Sequence, residues 1–282
     1  MWTLVLSLGA ASTWGVADFM GAIRARDYSP LLVAVYSELV GMAPVLIALY
    51  LVHDAFPGWQ ILPWVIVAGI TGSVGHVVFF TAMARGPIGV IAPIFACSSA
   101  GPALIAVTML GERPGAIQLA GIAVAIVGVA LVSRHAGEGD VQHGRYGAVP
   151  IALIGVAIIT LFYVAMDEVS RDSALWGVTM QRTVGLPILL TGLAVGLRRG
   201  TTTAPRGSFT AIAPVGLMDT AAFVAFAYAM TLGDLSIAVV LSSLYPVVTI
   251  LLARIRLDER LSGVQRVGAA LALLGVVAIV AG

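Results

Sequence analysis

Ten apolar runs, each long enough to cross a bilayer, fill most of the chain and leave only short polar loops between them. A helix needs about 20 mostly apolar residues to span roughly 30 Å of hydrocarbon. The runs that meet this length are Thr3–Ala22, Pro30–Val52, Ile61–Met83, Ile88–Leu110, Gly115–Ser133, Ala148–Met166, Leu175–Leu197, Phe209–Thr231, Ser236–Leu257 and Gly263–Ala281. The loops carry breakers and charges ("GERP", "RHAGEGDVQHGRYG", "DERLS"), and none is long enough for a soluble domain. The expected fold class is all-α and integral to the membrane. The first run has no basic segment ahead of it and nine further runs behind it, so a retained helix is expected and not a cleaved signal peptide.

Composition narrows the function classes. Only 10% of residues are charged, against about 25% in soluble domains. The net charge of +1 gives no reason to expect nucleic acid as a partner. One cysteine, Cys97, rules out a disulfide framework and a cysteine-based metal site. The sequence has no Walker loop, no HExxH and no nucleophile-elbow context, so an enzyme is not expected, and neither cofactor nor metal is assigned. The rival class, a membrane enzyme or scaffold, would need a clustered nucleophile or metal set, or a soluble partner-binding loop.

Arginine placement predicts orientation. Loops on the side of the N-terminus carry Arg113 and Arg171, whereas the opposite loops and helix ends carry twelve arginines, among them Arg24, Arg26, Arg85, Arg198, Arg199 and Arg260. Both termini are expected outside, with the arginine-rich loops in the cytoplasm.

Shifted by 147 positions, the sequence matches itself. Phe79, Ala82, Met83 and Gly86 fall on Phe226, Ala229, Met230 and Gly233. Glu112, Arg113, Gln118, Gly121 and Gly128 fall on Glu259, Arg260, Gln265, Gly268 and Gly275. Apolar composition alone does not put Glu, Arg and Gln in register. Five helices per half is an odd number, so the second half must enter the membrane inverted. Inverted repeats are a transporter architecture, with the substrate site near midplane where the repeats meet. The expected division is a first repeat over 1–134, a cytoplasmic linker over 135–147 and a second repeat over 148–282.

Two five-helix repeats, each ending in a Glu-Arg turn and a Gly-spaced last helix, resemble the EamA-like branch of the drug/metabolite transporter superfamily. "TWG" in the first run, "YP" at Tyr245–Pro246 and Arg182 in the seventh run carry the same resemblance. It implies a central cavity surrounded by eight helices, with the fifth and tenth peripheral. It also implies export of amino acids or other metabolites, or antiport of nucleotide sugars or sugar phosphates.

Ionisable residues inside a span cost about 2.5–3.5 kcal/mol on insertion scales, so each should face a cavity or a partner. Asp18 shares one helical face with Ser7, Ala11 and Trp14, which suits a solvated cavity. It also lies about one turn from the loop, so snorkelling to the interface is an equally good reading. Glu38 and Arg182 occupy related places in the second and seventh runs, at a register of 144, and invite an ion pair across the repeat interface. Such a pair serves structure as readily as substrate or proton handling. Asp219 near midplane has no route to snorkel, and Phe223, Phe226 and Met230 continue its face. His76 is a second-rank candidate that shares a stripe with Phe79 and Met83.

The fourth run carries Pro93, Ser98, Ser99 and Pro102, and the ninth carries Tyr245 and Pro246. Proline frees a carbonyl in a helix, so the three prolines are candidate gating positions and the serines and Tyr245 candidate binding positions. The expected function is secondary or facilitative export of a small polar, amino-acid-like metabolite through the inner membrane by alternating access. The alternative is an importer or exchanger of the same fold. Expected partners are the small-molecule substrate and the lipid bilayer, with a monomer expected and a dimer as the alternative.

Overall fold

Every apolar run contains α-helix among its described residues. The computed structural model describes residues 2–101, 115–133, 147–231 and 241–281. Within them α1 spans Trp2–Asp27, α2 Pro30–Val52, α3 Leu62–Arg85, α4 Ile88–Ala96 and α5 Ala116–Ser133. The second half follows with α6 at Ala148–Ser170, α7 at Ala174–Arg198, α8 at Ser208–Thr231, α9 at Tyr245–Leu257 and α10 at Gly263–Ala281. No strand occurs among the described residues. Helix entry follows local chemistry. Ser29 caps α2 by accepting from Leu32 N at 3.2 Å, with Pro30 in the first turn. Ser173 caps α7 by accepting from Trp176 N at 3.1 Å.

Two spans differ from the expected continuous helices. In the fourth, α4 stops at Ala96 and a 3₁₀ turn covers Cys97–Ala100. The side chains there take over main-chain acceptors: Cys97 Sγ donates to Pro93 O at 3.5 Å and Ser98 Oγ to Phe95 O at 2.6 Å. A proline at position 102 has no N–H to return to Ser98 O, and Thr160 Oγ1 of α6 donates to that carbonyl at 3.4 Å. Pro102 itself lies outside the described residues. In the ninth span, α9 begins only at Tyr245, after a turn at Ser243–Leu244. Pro246 sits in its first turn, where a missing N–H costs nothing.

The packing obeys the inverted repeat. α1 lies against α8 as α6 lies against α3, α2 against α8 as α7 against α3, and α1 against α9 as α6 against α4. Three pairs, α2–α7, α4–α9 and α5–α10, map onto themselves, as helices that meet at a two-fold axis must. The α5–α10 seam is a near-contact of backbones. A Cβ on Gly128 would meet Gly268 O at 2.8 Å, and one on Gly275 would meet Gly121 O at 2.7 Å. Only glycine permits that approach.

At the arginine-rich end one dry cluster takes residues from every helix. It includes Phe19 of α1, Leu32 of α2, Phe79 and Phe80 of α3, Ile88 and Phe95 of α4, and Val132 of α5. Ala148, Leu189, Ile212, Ala253 and Ala269 supply it from α6 to α10. Large apolar side chains on the outside, such as Ile126, Ile188 and Leu274, remain exposed and meet lipid.

Candidate functional site

Four polar side chains from four helices form a continuous chain of contacts at the seam of the repeats. His76 Nδ1 on α3 lies 3.0 Å from Glu38 Oε1 on α2. Glu38 Oε2 lies 3.4 Å from Arg182 Nε on α7. Arg182 Nη2 donates to Asp219 Oδ2 on α8 at 2.9 Å, and its Nη1 donates to the main-chain oxygen of Glu38 at 3.3 Å. The Nε–Oε2 approach is an ion pair without hydrogen-bond alignment, since neither atom has a hydrogen-bond partner. The side chains of Glu38 and Arg182 are 8% and 6% exposed, those of His76 and Asp219 24% and 31%. The chain is thus sealed in the middle and open at its ends.

Gly41 makes the arginine's reach feasible. It lies one turn along α2 from Glu38 in the direction from which Arg182 arrives. A Cβ there would collide with Arg182 Nη1 and with Thr220 Oγ1. Thr220 donates to Gly41 O at 3.2 Å and closes the notch from α8. The guanidinium passes over bare backbone to reach the Glu38 carboxylate.

Asp18 stands beside this chain without joining it. Among the described residues it makes no hydrogen bond or ion pair, yet it lies within electrostatic reach of Asp219 and His76. It therefore faces the interior charges. Trp14, one turn away, packs against Phe226 of α8 with ring centroids 5.6 Å apart. Tyr163 of α6 lies within reach of Asp18 and Asp219, and Tyr245 within reach of Tyr163 and Asp18. Helices α1, α3, α6, α8 and α9 thus turn polar or aromatic side chains towards one region.

The remaining candidates make other contacts. Ser98 is buried and donates its hydroxyl to Phe95 O. Pro93 is buried in α4 and Pro246 at the start of α9. The side chain of Ser99 lies outside the described side chains. Sequence reading missed Tyr163, Thr220 and Gly41. A register of 149 would have found the first, because it sets Trp14 on Tyr163 and Asp18 on Asp167. An apolar groove of about 480 Å³ between α2 and α8, lined by Pro44, Ile47, Leu51, Ala221 and Val224 among others, lies on the flanks opposite Glu38 and Asp219. At 100° per residue, Ala221 points some 200° from Asp219. The groove offers no polar chemistry.

A family model described as the EamA-like transporter family matches residues 1–134 and again 147–281. The chain belongs to this family. It is 29% identical over 231 residues to a probable terminal-alkyne amino-acid exporter of Streptantibioticus cattleyicolor, covering 77% of this chain and 73% of that one. A protein of known crystal structure superposes with a TM-score of 0.63 at 21% identity, covering 98% of this chain and 94% of the other, and shares the fold. The chain is a multi-pass membrane transporter of the EamA-like family, built from two repeats.

Proposed function

We propose that this transporter exports a small polar, amino-acid-like metabolite across the inner membrane by alternating access. The single observation that carries the reading is the His76–Glu38–Arg182–Asp219 chain at the repeat seam, flanked by Asp18, which pairs with none of the described residues. A substrate carboxylate competes with Glu38 or Asp219 for Arg182. A substrate ammonium finds Asp18 and the released carboxylate. Trp14, Phe226, Tyr163 and Tyr245 supply apolar and aromatic walls for the side chain between. The exporter relative supports both direction and substrate class.

Efflux from proteoliposomes loaded with a panel of labelled amino acids tests the reading. At least one should leave faster than from empty-lipid controls, and Arg182→Gln should abolish the difference. Wild-type vesicles that retain the whole panel would sink it. The same vesicles test coupling to protons through Asp18, Glu38 and Asp219: an imposed pH gradient should accelerate efflux, and indifference to it leaves facilitated export.

A further inference from the structure

The turn between α9 and α10 reaches across the repeat boundary. Glu259 Oε1 accepts from Arg26 Nη2 at 3.0 Å, at the end of α1. Its second oxygen, Oε2, accepts from the backbone N–H of Gly89 at 3.2 Å, in the first turn of α4. Arg26 Nη2 also donates to Gly86 O at 3.1 Å, at the end of α3. Leu261, two residues on, packs on Gly89. One carboxylate from the second repeat thereby holds three helices of the first. It fills an N–H of α4 that no helical carbonyl can serve, and it sits where the helix dipole favours a negative charge.

This knot lies over the dry cluster that all ten helices share at the arginine-rich end. Alternating access requires that end to open, and opening separates α1, α3 and α4 from the α9–α10 turn. We propose that Glu259 is the latch of the arginine-rich gate, holding it shut through Arg26 and the α4 N-terminus. The proposal rests on the transporter reading. Both partners are hydrated enough to part: the side chains of Arg26 and Glu259 are 31% and 17% exposed. A latch must be breakable, and a partly exposed charge-assisted contact is far easier to break than the sealed Glu38–Arg182 pair.

The test reads gate opening without any substrate. The full chain carries Cys97→Ala to remove the native thiol and Ala22→Cys to place a reporter in the dry cluster, where residue 22 has no exposure. Sealed vesicles of both orientations are treated with a membrane-impermeant maleimide. From the face bearing Arg198 and Arg199, Glu259→Ala should speed alkylation by about threefold or more, the population shift that loss of one such contact supports. Arg260→Gln, which removes an exposed neighbour whose ion pair among the described residues is with Asp258, should leave the rate at the background value. Equal rates for Glu259→Ala and Arg260→Gln overturn the latch, as does a rise of equal size from both faces, which marks general loosening. If Glu259→Ala does not fold, Arg26→Gln takes its place: it breaks the ion pair and keeps the Gly89 contact. Failure of this labelling change leaves the transport reading standing, while absent efflux from wild-type proteoliposomes overturns that reading without touching the labelling result.

Discussion

Arg182 is held by one carboxylate on α2, one main-chain carbonyl beside it and a second carboxylate on α8. Removing one partner of a buried pair leaves an uncompensated charge and costs about 3–5 kcal/mol. Glu38→Gln and Arg182→Gln should therefore each lower the yield of folded protein sharply. The double change should recover part of it, with a coupling on the order of 0.5–3 kcal/mol in a thermal-unfolding cycle. Additive losses would show that the two charges are stabilised independently. Gly41→Ala should cost about 1–3 kcal/mol by overpacking, and thermal unfolding in the Arg182→Gln background should show that cost reduced, with the Thr220 contact keeping the remainder. The Glu38–Arg182 contact was legible in the sequence, because both sit mid-span at related places in the repeats. The links to His76 and Asp219 were not. Each looked like a lone polar residue on its own helix, and nothing in one-dimensional spacing says which of four helices it will face.

Helix existence was legible throughout the described residues, since a run of some 20 apolar residues has few other ways to satisfy its backbone in lipid. The interruptions of the fourth and ninth spans were only half legible. Pro93, Pro102 and Pro246 marked the neighbourhood, but the α4 break falls at Cys97, where side chains rather than proline take the carbonyls. The seam between α5 and α10 makes the sharpest prediction at this scale. Gly128→Leu should block assembly, seen as loss of a monodisperse peak in size-exclusion chromatography, because its side chain would enter the backbone of Ala272 and Gly268. Ile126→Ser, at a side chain that is 65% exposed, should leave both that peak and efflux within about twofold of wild type, as lone hydroxyls in spans are weak perturbations. Strong loss of efflux from Ile126→Ser would place α5 on the substrate path.

The imbalance of arginines between the two sides predicts how the whole molecule sits. A reporter fused after Gly282 that is active only in the cytoplasm should be silent, and a bright signal would invert the assignment of every loop. The two-fold arrangement was legible from the 147-residue register and an odd helix count, with no knowledge of contacts. The pairing of α5 with α10 carries that symmetry into inheritance. Gly121 meets Gly275 as Gly268 meets Gly128, the pairing that two copies of a single five-helix ancestor, threaded through the membrane in opposite senses, would make with each other. The gene can then be cut where the ancestor was doubled. Two separate messages, encoding residues 1–134 and 147–282, should yield halves that find each other in the bilayer and co-purify on one tag.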